Sequence, residues 1–361
     1  MAKKILELCL SPDLGGLELY MMRAARYLSE HGECLSVINE RGKLLGYYEG
    51  TQLRYETLRR RNVLFSWIGA RELARIIDNE GIDVIHLHWT KDLPLAVMAK
   101  FLSRKRPRVV QSRHMTMTRF KDDFYHRFLY RNVDLMLAVT QQVKEQIERF
   151  VPVAIRPHVE VLYIGAEQPQ LISAQERTSR RDALGLGESF TVGIVGRIEP
   201  QKGQHLVLEA VRKLSEQGCD AKALVIGAAM DEAYLQKLRT DYPDVGVFTG
   251  FTREAQTMMQ LCDVIVLATE NETFGLVLIE AMMCGVCVAA SDSGGPLEII
   301  DDGINGLLFK TFDSDDLSCK LRILHDDAAL RQRYAAAGRE KALKMFESGK
   351  QFDQLKSRLN Q

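Results

Sequence analysis

No stretch of the 361-residue sequence is apolar for long enough to cross a membrane as a helix. The opening MAKKILELCLSPDLGG places Lys3 and Lys4 before a short apolar run that Glu7 and Ser11-Pro12-Asp13 interrupt. No secretory signal is read there, and a cytoplasmic protein is expected. Cysteine chemistry is sparse too. Seven cysteines, mostly in apolar surroundings, suit a reduced compartment. Cys284-Gly-Val-Cys287 has the spacing of a redox or zinc pair, but with no second pair and no local histidine it reads as core packing. Internal repeats of solenoid period and low-complexity tracts are absent, which excludes repeat arrays and disordered tails.

What is present is an ordinary enzyme composition, 46% hydrophobic and 27% charged. The length exceeds what one compact core usually holds, so two domains are expected. Net charge is zero but uneven: residues 1–165 carry 26 Lys and Arg against 19 Asp and Glu, and the remainder carries 22 against 29. The first half therefore suits an anionic partner.

Short apolar runs alternate with helical patterns through that half. Strands are expected at Ile5 to Cys9, Ser36 to Ile38, Asp83 to His88, Val109 to Ser112, Asp134 to Val139 and Val159 to Tyr163, with helices near Leu17 to Leu28 and Ile68 to Ile77. Such alternation predicts right-handed βαβ units and a parallel sheet. A polar, proline-containing stretch at 169–189 reads as a linker between a first domain at 1–168 and a second at 190–343. Five buried strands are expected in the second, at Thr191 to Val195, Ala223 to Ile226, Val245 to Thr249, Asp263 to Ala268 and Val286 to Ala290. The tail from Asp326 reads as helical throughout, with 344–361 as a final helix. Open α/β sheets bind ligands beyond the carboxyl ends of their strands, so a site between two such domains is expected.

Two segments of the second half carry chemistry. The strand at Val192 to Val195 runs into Gly196-Arg197-Ile198-Glu199-Pro200-Gln201-Lys202-Gly203. Arg197 and Lys202 on one loop can converge on a dianionic diphosphate and stand in for a metal. After the strand at Asp263 to Ala268 comes Glu272-Thr-Phe274-Gly275-Leu276, then Glu280 farther along a helix. The amides at a helix start bind an anion, so a diphosphate fits at Gly275 and Leu276, with Glu272 and Glu280 taking hydroxyls on either side. Glu280 stands among Leu278, Ile279, Ala281 and Met282, where a carboxylate needs a partner.

These segments resemble the family 4, or group 1, glycosyltransferases, whose signature is two glutamates separated by seven residues, as Glu272 and Glu280 are. The Gly196 to Gly203 loop, Gly15-Gly16, Ser293-Gly294-Gly295-Pro296 and Gly303-Ile304-Asn305-Gly306 are similar to that family as well. The resemblance implies a GT-B fold, two Rossmann-like doubly wound parallel-sheet domains facing across a cleft, and a final helix that returns to the first domain. It implies a retaining enzyme that moves a hexose from a UDP- or GDP-sugar held by Arg197, Lys202, Glu272 and Glu280, with Phe274 and Gly196 in the same loops. The acceptor would be a glycan or glycolipid, as in bacterial lipopolysaccharide or exopolysaccharide synthesis. No cofactor beyond the nucleotide sugar is expected. No Asp-x-Asp motif follows a strand in a plausible donor site, and Asp313-Ser-Asp315-Asp316 reads as a helix N-cap, so metal independence is expected.

In the first half, Gly15 and Gly16 lie between the first strand and its helix, where close backbone approach to a phosphate is possible. His114, after the strand at Val109 to Ser112, resembles the family histidine near the transferred sugar and is suited to hydrogen-bond a hydroxyl. His86 and His88 are expected on opposite faces of their strand, unable to chelate one metal together. Basic clusters at Arg59 to Arg61 and Arg104 to Arg108, and aromatics interleaved with charges from Arg119 to Arg131, suit either an anionic membrane surface or a solvated helix. The lipopolysaccharide members of the family favour a peripheral membrane contact. No nucleic-acid module accompanies the charge. A nucleotide-sugar isomerase of the UDP-N-acetylglucosamine 2-epimerase type and a non-catalytic carbohydrate-binding relative are the alternatives.

Overall fold

The computed structural model describes residues 3–59 and 67–361 and divides into two compact units, one comprising the chain up to Gly165 with Ser348–Gln361, the other Ala166–Glu347. Among the described residues, the first unit holds a seven-stranded sheet of β1 (Ile5–Cys9), β2 (Cys34–Asn39), β3 (Tyr55–Leu58), β4 (Val84–Leu87), β5 (Arg108–Arg113), β6 (Leu135–Ala138) and β7 (His158–Val161). The order is β3-β2-β1-β4-β5-β6-β7 with every pairing parallel. The second holds β8 (Phe190–Val195), β9 (Ala221–Ile226), β10 (Gly246–Gly250), β11 (Val264–Leu267), β12 (Cys287–Ser291) and β13 (Leu307–Phe309), in the order β10-β9-β8-β11-β12-β13, again parallel. Each sheet reverses its direction of winding once, between β1 and β4 and between β8 and β11. Ligand sites of doubly wound sheets lie beyond the carboxyl ends of the strands at such points.

Helices cover both faces of the first sheet because its central strands are buried on both sides. Leu6, Leu8, Ile85 and Leu87 pack with the helices Trp67–Glu80 and Leu93–Leu102, while Ile5, Val84, Val110 and Leu135 pack with Gly16–Glu30 and the final helix Ser348–Asn360. Phe352 of that final helix sits against Tyr20 of Gly16–Glu30, ring centroids 5.7 Å apart.

Two strands escaped the sequence reading. β3 is an edge strand whose Glu56 and Thr57 are exposed, so no apolar run marks it, and β13 is only three residues long. The tail is not one continuous helix. Ala328–Met345 ends where the Phe346 carbonyl accepts the Ala166 amide at 2.9 Å, and a new helix starts at Ser348. Residues 169–189, read as a linker, contain the helix Ala174–Ala183 and lie within the second unit. Buried Arg181 there donates to the Leu261 and Ser189 carbonyls at 2.6 Å each. Asp313 caps its helix by accepting the Asp315 and Asp316 amides. All seven cysteines are free, and burial pushes the thiols of Cys284 and Cys287 up to about 12. These two fill the core.

Candidate functional site

In the second unit, the loop after β8 starts at Gly196, whose amide donates to the Ile226 carbonyl at 2.9 Å. Arg197 follows, exposed, its guanidinium 3.0 Å from Glu199. Buried Gln204 donates to the Arg197 carbonyl at 2.8 Å and fixes the backbone there. The loop closes with a single 3-10 turn, Pro200–Lys202, that turns Lys202 inward. Its ammonium lies 3.3 Å from Glu272 Oε2, both side chains roughly three-quarters buried.

Glu272 stands on the loop after β11, ahead of the helix Leu276–Met283. Gly275 caps that helix with φ +101°, a conformation open to glycine at little steric cost. The helix start, with its first amides, follows directly on the loop that carries Glu272. Phe274 is buried, its ring against Phe346 with centroids 6.1 Å apart. Glu280, one turn in, is only partly buried, less enclosed than its apolar neighbours in sequence suggested.

What holds this loop was not read from the sequence. Gly294 and Gly295, after β12, press their backbone against it. A Cβ on Gly294 would lie 2.2 Å from the Glu272 carbonyl oxygen, and one on Gly295 would lie 2.2 Å from that of Phe274. The Gly295 amide also donates to the Glu272 carbonyl at 2.9 Å.

In the first unit, the carboxyl ends of β1, β4 and β5 bring together Glu7, His86, His88, Ser112 and His114. Glu7, His86 and His88 are fully buried. Glu7 Oε1 meets His86 Nδ1 at 2.8 Å, and Oε2 meets His88 Nε2 at 2.5 Å. His86 Nε2 reaches Ser112 Oγ at 2.8 Å, and His88 Nδ1 reaches His114 Nε2 at 3.3 Å. Tyr20 sets its ring edge against both His88 and His114, at 5.7 and 5.1 Å.

The expectation that His86 and His88 diverge is corrected here. Residues two apart on a strand share a face, and these rings lie 4.3 Å apart. The signal was legible as a glutamate inside the apolar run Ile5 to Cys9, since a buried carboxylate demands partners. Glu7, His86 and His88 are close enough together to hold a metal ion. Their contacts are those of hydrogen bonds instead: two ligands of a tetrahedral zinc stand about 3.3 Å apart, whereas these pairs stand at 2.5 and 2.8 Å.

Gly15 precedes the helix Gly16–Glu30 in an ordinary extended conformation. The carboxylate of Glu18, third in that helix, comes within 3.4 Å of where a Gly15 Cβ would stand. That carboxylate opposes a phosphate at Gly15, whereas nothing lies within 4 Å of a Gly16 Cβ.

The family described as Glycosyl transferases group 1 matches residues 176–341, and that described as Glycosyltransferase Family 4 matches residues 14–166. Between them they take in both units. The chain belongs to the family 4, group 1 glycosyltransferases. Alpha-D-kanosaminyltransferase of Streptomyces kanamyceticus is 26% identical to this glycosyltransferase over 58% of the chain, a match that spans about half (55%) of the relative's own length. N-acetyl-alpha-D-glucosaminyl L-malate synthase of Bacillus anthracis is 25% identical, covering 78% of this chain and 75% of that one. Among solved structures, Anabaena HepE in complex with UDP and glucose superposes with a TM-score of 0.83 at 23% identity, over 99% of both chains. The two parallel-sheet domains of the glycosyltransferase are thus the GT-B fold.

Protonation in the buried cluster follows from its geometry. Burial alone would raise the Glu7 carboxyl, but His86 and His88 outweigh it and hold it at about 2. Burial and the neighbouring His86 push His88 down to about 4, and burial, with His88, His86 and Arg113 nearby, pushes His114 well below its ordinary range. Between pH 6.5 and 4 the unfolded chain therefore binds protons at His88 that the folded enzyme refuses, and below pH 4.5 the same holds for Glu7. Stability contributed by these groups is complete above about pH 6.5 and lost as pH falls toward 4 and then 2. Thermal midpoints of the glycosyltransferase should fall steadily over that window, and His88→Phe should flatten the part between pH 6.5 and 4. A midpoint constant from pH 7 to 4.5 would contradict the assignment.

Proposed function

We propose that this glycosyltransferase moves a hexose from a UDP- or GDP-sugar to a glycan or glycolipid acceptor with retention of anomeric configuration, in the synthesis of a cell-surface polysaccharide. The Lys202 to Glu272 contact beside the start of the helix Leu276–Met283 carries this reading. It joins a cation, a carboxylate and a set of helix-start amides at one place, which are the parts needed to hold a sugar diphosphate. HepE, with the same fold, was solved with UDP and glucose.

In the proposed mechanism, Lys202 leaves Glu272 for the diphosphate as the donor binds. Arg197 likewise exchanges Glu199 for phosphate oxygens, its planar fork suiting two of them. Glu272, released, takes hexose hydroxyls, and Glu280 takes the ribose diol. As the glycosidic bond breaks, negative charge grows on the leaving diphosphate, where two cations and the amides at Gly275 and Leu276 already point. No metal is needed to balance that charge. The acceptor hydroxyl attacks from the face the diphosphate leaves, and a phosphate oxygen takes its proton.

Titrating the protein with UDP-, GDP- and ADP-sugars in thermal denaturation tests the donor site. A ligand bound only by the folded state adds about 2.7 kcal/mol at 100 times its Kd. A rise is expected with a UDP- or GDP-sugar, and absence of any rise would remove the reading.

The proposed acceptor is membrane-borne. Phe124 is 89% exposed and Phe120 66%, in a segment that carries Arg119, Lys121 and Arg127 together with Asp122, which pairs with Arg127, and Asp123, while Phe101 and Phe128 stack at 5.7 Å on the surface. Exposed aromatics among cations suit an anionic bilayer, at about 1 kcal/mol per basic residue. Arg59 is exposed as well; Arg60 and Arg61 lie outside the described residues. The protein should sediment with phosphatidylglycerol vesicles and not with phosphatidylcholine, and Phe124→Glu should release it. Equal behaviour with both lipids would count against membrane contact.

A further inference from the structure

Burial keeps His88 and His114 neutral, and the contacts of the first unit then allow one assignment of the protons on these two rings. A neutral imidazole has one donor nitrogen and one acceptor nitrogen, and an ionised carboxylate only accepts. Glu7 therefore requires a proton on each nitrogen that faces it, His86 Nδ1 and His88 Nε2. His88 Nδ1 is left to accept from His114 Nε2. With its proton on Nε2, His114 keeps a bare lone pair on Nδ1. That atom is buried and has no hydrogen-bond partner, unlike both nitrogens of His86 and His88. One carboxylate thus dictates, through His88, which nitrogen of His114 is available.

We propose that Glu7 and His88 are positioning residues that hold His114 in its Nε2-protonated form, so that it offers Nδ1 as an acceptor to a hydroxyl of the substrate. The inference rests on the reading of His114 as the first-domain residue that meets the sugar. An unpaired buried acceptor is costly, and a substrate hydroxyl pressed against the His114 loop satisfies it. A sugar hydroxyl is both donor and acceptor, so the same loop with a proton on Nδ1 would accept a substrate lacking that hydrogen, an ether or a fluorine in its place. The Nε2-protonated form rejects these. Sites that pair a buried polar group with one substrate hydroxyl discriminate strongly against analogues lacking it. Tyr20 supports the arrangement by closing both rings from the helix Gly16–Glu30.

Two-bond proton-nitrogen correlation spectra of histidine-labelled protein test the assignment without any substitution in the observed protein, His114 being identified by the peak missing from His114→Asn. Neutral His114 with a proton on Nε2 and a pyridine-like Nδ1 is expected from pH 6 to 8. A proton on Nδ1, an imidazolium, or one equivalent of zinc held by the purified protein at Glu7, His86 and His88 would overturn the proposal. His88→Phe removes the acceptor that His114 faces and should mix its two tautomers, lowering kcat about tenfold with a smaller change in KM. His88→Asn restores an acceptor near the Nδ1 position and should recover the spectrum and most of the rate. An unchanged His114 spectrum in His88→Phe would overturn the role of His88. Full kcat/KM in His114→Ala would instead overturn the reading of His114 beneath it, whichever nitrogen carries the proton.

Discussion

Replacing Lys202 by alanine should lower the rate of sugar transfer about 100- to 1,000-fold, the scale found when one preorganised group that stabilises developing charge is removed. Lys202 is the inward-facing cation of the loop after β8, whereas Arg197 is exposed and already paired with Glu199. The loss should fall on kcat more than on KM, because the charge on the leaving diphosphate grows only as the bond breaks. Folding should hardly notice. A partly exposed ion pair such as Lys202 with Glu272 contributes roughly 0–1 kcal/mol to stability. Glu272→Ala should also cost rate, with a larger share in KM if the carboxylate holds the hexose before reaction. Steady-state kinetics on both variants checks this, and wild-type kcat in both would refute the donor site.

Gly295→Ala should damage both the stability of the second unit and the rate. A methyl group there would stand 2.2 Å from the Phe274 carbonyl oxygen and 2.4 Å from the Phe274 Cα, backbone that cannot swing aside as a side chain can. The segment Glu272 to Gly275 must move as a whole. Overpacking of this kind typically costs about 1–3 kcal/mol, and a displacement of about 1 Å at a positioning group can cost about 100-fold in rate. Gly16→Ala is the contrasting case, with nothing within 4 Å of the added carbon, and should change stability by less than about 0.5 kcal/mol. Comparable melting and rates for Gly295→Ala and wild type would show that the turn after β12 does not hold the donor loop.

The central strands were legible because they are buried on both faces and read as short apolar runs. β3 and β13 were not, since an edge strand with exposed Glu56 and a three-residue strand carry too little pattern. The donor loop was legible for a different reason: Glu272, Gly275 and Glu280 are close in sequence, so one segment displays them together. Gly294 and Gly295 showed only as a turn, because their function is contact with a loop some twenty residues away. The cluster of Glu7, His86, His88 and His114 was the hardest to see, drawing one residue or two from each of three strands. His114 was singled out by itself, Glu7 entered only as a charge that interrupts an apolar run, and His86 and His88 share a face where divergence was expected.

The most direct test of the account is the sugar released when the protein is given a UDP- or GDP-hexose, followed by proton NMR from the first minutes after mixing. Release of nucleoside diphosphate is expected together with a hexose, transferred to a glycan acceptor or slowly to water, that appears first with the anomeric configuration of the donor. Lys202→Ala should weaken that signal by the same factor, about 100- to 1,000-fold, and Glu272→Ala should weaken it too, both while remaining folded. Release of the inverted anomer, conversion of the donor to an isomer with no transfer, or no consumption of any nucleotide sugar by the folded protein would contradict the account.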